Sequence, residues 1–135
     1  MADSSRPIGV RPLSPHLQVW RWHVTLAASI LHRAAGVAIY FGILILAGWV
    51  LALHAGVQAF AAYTGALAST PGLVVLFLIT LALLFHLANG VRHLVWDVGF
   101  GFAPKTADAT AWGAFAFALV ANVGLWLALA ASGKI

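Results

Sequence analysis

The chain has no cysteine. That excludes disulfides, thiolate metal sites and iron–sulfur ligation by its own residues. Charge is almost as scarce. Charged residues make up 7% of the 135 residues, against about 25% in an ordinary soluble domain. The few charges give a net +4. They form no basic run, and no soluble domain is present to carry one, so nucleic acid is not expected as a partner. No internal repeat or low-complexity linker divides the chain, and residues 1–135 read as one membrane domain.

What the chain has instead is apolar length. Its hydrophobic content is 63%. Residues 34–53 run for twenty positions with no charge and no histidine. Residues 72–91 run for twenty, with His86 and Asn89 as their strongly polar groups. Residues 111–131 run for twenty-one, with Asn122 near the centre. A hydrocarbon core of about 30 Å needs about 20 helical residues, and lipid offers the backbone no hydrogen bonds. The expected fold is all-α: an integral membrane protein of three transmembrane helices, at about 27–53, 72–96 and 110–131. Three spans make a thin bundle. The polar positions on them call for covering, by a partner membrane subunit or by self-association.

Charge placement gives the orientation. Arg6, Arg11, Arg21 and Arg33 precede the first apolar run at 34–53, and Arg92 and Lys105 lie in the 92–110 loop. Residues 54–71 carry no Lys or Arg, and Lys134 alone follows the third span. Basic residues favour the cytoplasmic side. The N-terminus and the 92–110 loop are therefore expected there, with the C-terminus opposite. No cleavable leader is expected, because the first residues are polar and proline-marked (Pro7, Pro12, Pro15). Asp3 and the motif beginning at Arg11 argue against a transit peptide. The prolines make this arm extended rather than helical. Trp20 and Trp22 read as interfacial anchors.

Ionisable side chains inside a span are costly and mark candidate sites. Ser29, His32, Arg33 and Gly36 are spaced i, i+3, i+4, i+7, on one helical face. Arg33 could donate to a quinone carbonyl, with Ser29 as second donor, or simply snorkel to the headgroups. His86 lies six residues before Arg92, about 9 Å along the axis, at the same side of the membrane. Gly90 follows one turn later and removes a side chain from that face, so a flat macrocycle could approach. His86 is then either a haem ligand or a histidine hydrogen-bonded against another helix; both remain open on these residues alone. His32, Arg33, Arg92 and His93 could meet anionic haem propionates. His16, His23 and His54 read as interfacial or loop residues. Asp97 is expected to pair with Arg92 or cap the loop.

Three blocks in order carry a family resemblance. Arg11-Pro12-Leu13-Ser14-Pro15-His16-Leu17 comes first. Ser29-Ile30-Leu31-His32-Arg33 with Gly36 follows. His86, Gly90, Arg92, His93, Leu94 and Asp97 then read as H-x-x-x-G-x-R-H-L-x-x-D. Together they resemble the cytochrome b subunit of succinate dehydrogenase, the larger hydrophobic anchor of respiratory complex II. Ala35 stands where a Ser or Thr usually precedes the glycine. The resemblance implies that His86 is an axial ligand of haem b, with the second ligand from the smaller anchor subunit. It implies that Ser29 and Arg33 belong to a ubiquinone site and that His32 lies near the haem propionates. It implies iron–sulfur and flavoprotein subunits as further partners, and a bacterial inner membrane location with a periplasmic C-terminus. The chain itself is expected to hold no catalytic residue, having neither flavin fold nor cysteines. A small transporter or proton-relay subunit using Arg33, His86 and Asp97 is the competing class, and the related fumarate reductase anchor is not separable from these residues.

The orientation can be checked with single cysteines at Gln58 and Lys105. An impermeant thiol reagent added outside should label the first and spare the second; the opposite pattern reverses the topology.

Overall fold

The computed structural model describes residues 21–135. Arg6, Arg11, the prolines of the N-terminal arm, His16 and Trp20 lie outside the described residues. Four helices follow in order: α1 Val24–His54, α2 Val57–Ala68, α3 Thr70–Asp97 and α4 Pro104–Ala131. Among the described residues, α1, α3 and α4 are long and apolar enough to cross a membrane. The shortest of these has 28 residues. At 1.5 Å per residue that is about 42 Å, longer than a hydrocarbon core of about 30 Å. The ends therefore project into the headgroup zone.

The helix limits follow from local chemistry. His23 caps α1, its Nδ1 accepting from the Leu26 N–H at 3.2 Å. Ser69 caps α3, its hydroxyl oxygen accepting from the Gly72 N–H at 3.3 Å, and Pro71 occupies the first turn, where no donor is needed. α3 and α4 both end in a left-handed glycine, Gly99 at φ 92° and Gly133 at φ 68°. Phe100 N–H then returns to the Val95 carbonyl, and Lys134 N–H to that of Leu129, each at 3.2 Å. These six-to-one bonds satisfy carbonyls that the helix leaves open.

The 54–71 segment, expected as a loop, contains the helix α2. Its 12 residues are too few to cross the membrane, and none is buried, so no apolar face repeats at helical spacing to give it away. It folds back on α1. The Tyr63 hydroxyl donates to the Ile45 carbonyl at 2.8 Å, and Phe60 meets Trp49 edge-on, with ring centroids 5.5 Å apart.

α3 is the central helix, packed on α1 along one side and α4 along another. The buried core is made almost wholly of small side chains: Ala28, Ala35, Ala111, Ala114 and Ala118, joined by Phe85. Large apolar side chains point outward, as at Val120, 71% exposed, and Leu127, 65% exposed. This suits lipid. Lipid tails are as apolar as leucine, so helix association rests on close packing and interhelical hydrogen bonds. Small side chains permit the first. The second comes from Asn122, fully buried on α4. Its Oδ1 accepts from the Thr80 hydroxyl at 2.7 Å. Its Nδ2 donates to the Phe77 carbonyl at 3.4 Å. Trp126 Nε1 donates to Thr80 Oγ1 at 2.9 Å.

This predicts a modest, local cost for Asn122→Ala. The α3–α4 pair should lose about 0.6–1.7 kcal/mol, the range for one interhelical polar contact in a membrane. Thr80 keeps the Phe77 carbonyl as an acceptor, 3.0 Å away, so no buried hydroxyl is orphaned. Unfolding in mixed detergent micelles measures the loss; an unchanged midpoint contradicts it.

Candidate functional site

Where α1 begins and α3 ends, three histidines meet. His32 and His86 stack with ring centroids 3.9 Å apart and planes 11° from parallel. His93 lies 5.3 Å from His32, tilted by 54°. The pairing of α1 with α3 sets this up. His86 Nδ1 lies 3.2 Å from the backbone carbonyl of His32. That oxygen can only accept, so Nδ1 carries the proton and the neutral ring keeps its lone pair on Nε2. Nε2 makes no hydrogen bond among the described residues. A nitrogen fixed by a carbonyl, with the other free, is the arrangement that orients histidines for metal ligation.

The glycine that faces the His86 ring is Gly36. A Cβ there would sit 3.4 Å from His86 Cε1 and 3.8 Å from Nδ1. Gly90, expected from sequence to be the small neighbour, has no atom within 4 Å of where its Cβ would be. The space beside it is open, and it makes no contact with the imidazole.

Arg92 is buried, 7% exposed. It does not pair with Asp97, which is exposed. Its guanidinium turns inward. Nη1 donates to Asn89 Oδ1 at 3.0 Å. Nε donates to Thr110 Oγ1 at 3.0 Å and Nη2 to the Ala107 carbonyl at 3.1 Å. Its charge lies 4.1 Å above the Trp96 ring, a favourable cation–π distance. Arg92 thus ties α3 to the first turns of α4. Asn89, fully buried, continues the chain. Its Nδ2 lies 3.4 Å from His93 Nε2. With Oδ1 held by a guanidinium, the amide orientation is fixed, and Nδ2 is the end that faces His93.

Ser29 and Arg33 share the His32 side of α1 but join neither network. Neither makes a hydrogen bond or ion pair among the described residues. Arg33 is exposed. His32 Nδ1 is buried without a hydrogen-bond partner among them, a condition that costs about 1–3 kcal/mol when left uncompensated. The site therefore brings together four polar groups: Nε2 of His86, the buried Nδ1 of His32, a hydroxyl and a guanidinium. His23 and His54 stand apart, one capping α1 and the other exposed in its last turn.

Asn89 stands out in the sequence only as a polar group within its apolar run, and Trp96 and Thr110 do not stand out at all. Asn89 and Trp96 lie at i−3 and i+4 from Arg92, a readable same-face signal. Thr110 is on another helix, and its part depends on how α3 and α4 pack. Among the described residues no three His, Cys, Asp or Glu side chains are grouped to hold a bare metal ion. One free nitrogen on a pinned histidine suits a metal whose other ligands come from elsewhere.

Comparison with known proteins agrees with this architecture. The family model for the succinate dehydrogenase/fumarate reductase transmembrane subunit matches residues 9–125. The succinate dehydrogenase cytochrome b556 subunit of Paracoccus denitrificans is 39% identical over 107 residues, covering 79% of this chain and 81% of that one. The cytochrome b556 subunit of Rickettsia bellii is 35% identical over 119 residues, covering 87% and 91%. The mitochondrial cytochrome b560 subunit of Mus musculus is 35% identical over 95 residues, covering 69% and 56%. With three apolar helices of membrane-spanning length and a family match over most of its residues, the chain belongs to the succinate dehydrogenase/fumarate reductase transmembrane subunit family, as a cytochrome b anchor of complex II.

Proposed function

We propose that this anchor binds haem b through Nε2 of His86 and uses Ser29 and Arg33 to build a ubiquinone-reduction site. The observation that carries the haem reading is the state of the His86 ring. Nδ1 is held by the His32 carbonyl at 3.2 Å, and Nε2 is unused among the described residues. The open space at Gly90 supports a flat group lying along that side of α3. When bound, haem supplies a one-electron redox centre. A histidine of the smaller anchor subunit would supply a further ligand. His32, Arg33 and His93 are the residues left to receive propionates. Arg92 supports His93 from behind, through Asn89. Flavoprotein and iron–sulfur subunits complete the complex and deliver electrons from succinate.

The quinone reading rests on two unsatisfied polar groups one helical turn apart. A quinone head has two carbonyl acceptors, and reduction places negative charge on those oxygens. Fixed donors stabilise that charge most strongly where water is scarce. The Ser29 hydroxyl is a donor, and Arg33 adds a permanent positive charge. The isoprenoid tail stays in lipid. The N-terminus and the segment between α3 and α4 face the cytoplasm in this reading, which sets the site beside the iron–sulfur subunit. A proton relay across the membrane has less support. Beyond His86, Thr80 of α3 bonds to Asn122 and Trp126 of α4, and these three side chains are occupied with one another.

Two expectations follow for the assembled complex. His86→Ala should abolish the six-coordinate low-spin b-type spectrum or loosen the haem; an unaltered spectrum assigns the ligand elsewhere. Ser29→Ala and Arg33→Leu should each lower succinate–ubiquinone activity by roughly 10²–10³, the usual effect of losing one fixed donor. Succinate oxidation with a soluble artificial acceptor should be spared. Wild-type ubiquinone reduction in both variants, with haem in place, moves the quinone site off α1.

A further inference from the structure

His32 meets His86 twice. Its backbone carbonyl lies 3.2 Å from His86 Nδ1. Its side-chain ring lies against the face of the His86 ring, with centroids 3.9 Å apart and planes 11° from parallel. The first contact fixes the tautomer. It does not fix the ring plane, because a carbonyl oxygen accepts over a broad range of directions. An imidazole held at one nitrogen can still rock about that point. The second contact restrains the motion that the first leaves free. A separation of 3.9 Å is that of atoms in van der Waals contact, about 3.5–4.0 Å, so the two faces touch. Rocking the His86 ring on that side drives it into His32.

We propose that His32 is a positioning residue for the haem ligand: its ring, stacked on His86, sets the plane in which the ligand imidazole stands. The proposal rests on the reading of His86 as the ligand. Three observations carry it. The first is that packing, and not hydrogen bonding, places the His32 ring. Neither of its nitrogens makes a hydrogen bond among the described residues, and Nδ1 is buried. The second is that His32 is backed. His93 lies 5.3 Å from it, tilted by 54°. His93 is in turn edge-on to Trp96, centroids 5.1 Å apart, and its Nε2 lies 3.4 Å from Asn89 Nδ2. Asn89 is held by Arg92. The support from the buried arginine therefore reaches His86 through two rings. The third is that no other ring does this work. Among the described residues His32 supplies the only ring stacked on His86. Gly36, which faces the Cε1 edge of the imidazole, offers no side chain to hold a plane.

The plane has a consequence at the iron. An axial imidazole donates π density only perpendicular to its own ring, so its plane selects which iron d orbital is raised. That splitting sets the g anisotropy of low-spin ferric haem. Groups that orient a metal ligand act on the metal in this way without touching it. A propionate contact by the same residue uses a different part of the side chain. Stacking needs a flat face, and an anion needs a nitrogen donor.

The test uses the assembled, oxidised complex and reads the low-field g feature of the low-spin haem by electron paramagnetic resonance. Both variants below keep the backbone carbonyl at position 32, so His86 Nδ1 keeps its partner. His32→Phe has a flat face and no donor, and the feature should stay within the wild-type linewidth. His32→Gln has a donor on a flexible stem and no ring, and the feature should move outside that linewidth and broaden. A wild-type feature in His32→Gln overturns the inference, and so does a displaced one in His32→Phe. Either variant decides alone should the other fail to assemble. His86→Ala separates this inference from the reading beneath it. Haem lost or loosened in His86→Ala, with an unmoved feature in His32→Gln, refutes the stacking role alone. An unaltered spectrum in His86→Ala refutes the ligand and the stacking role together.

Discussion

The carbonyl of His32 holding Nδ1 of His86 is the contact on which the site depends. It joins α1 to α3, fixes the imidazole's tautomer and leaves Nε2 available, all through one backbone oxygen. In a helix a carbonyl ordinarily serves the amide four residues later. It has a second lone pair, and a side chain from a neighbouring helix can use it. Gly36 faces the ring from α1. The distance, 3.2 Å, is that of an ordinary hydrogen bond, and in a medium without water nothing competes for it. The stacking of His32 on His86 follows from the same approach.

Around that contact the bundle reverses the layout of a soluble protein. Its interior holds alanines and a few polar side chains, and its large apolar residues face outward. Lipid gives little reward for burying leucine, so the helices meet where their backbones can come close and where polar groups need partners. Two polar clusters do this on α3, several turns apart. Thr80, Asn122 and Trp126 join α3 to α4 in the middle of the span. Arg92, Asn89 and Thr110 join the same helices near their ends. Arg92 is the costlier of the two to bury, and its neighbours answer that cost with three hydrogen bonds and an aromatic face. The outcome is rigidity on the α4 side of α3. The α1 side carries the groups still open to ligands.

That asymmetry separates structure from function within one motif. Arg92 and His93 are adjacent in sequence and look equally suited to an anionic ligand. One rotation of about 100° per residue sends them to different surroundings. Arg92 points at α4 and is consumed by packing; His93 points towards His32. Asn89 bridges them, so the structural arginine still bears on the site by fixing the amide that meets His93.

The sequence by itself determined three spanning helices, because runs of twenty apolar residues have one stable form in lipid. It also set Ser29, His32, Arg33, His86 and His93 apart as candidates, since they are conspicuous in such a background. Helix α2 escaped it, having no buried face to print a period on the sequence, although Gly56 and Ser69 stand at its limits. Tertiary structure decided the rest. Which glycine faces His86, Gly36 and not Gly90, depends on the neighbouring helix. Arg92's partner was Thr110 and not Asp97 for the same reason. A sequence records which face a residue occupies along its own helix, but the atoms opposite that face are set by how helices far apart in the chain pack together.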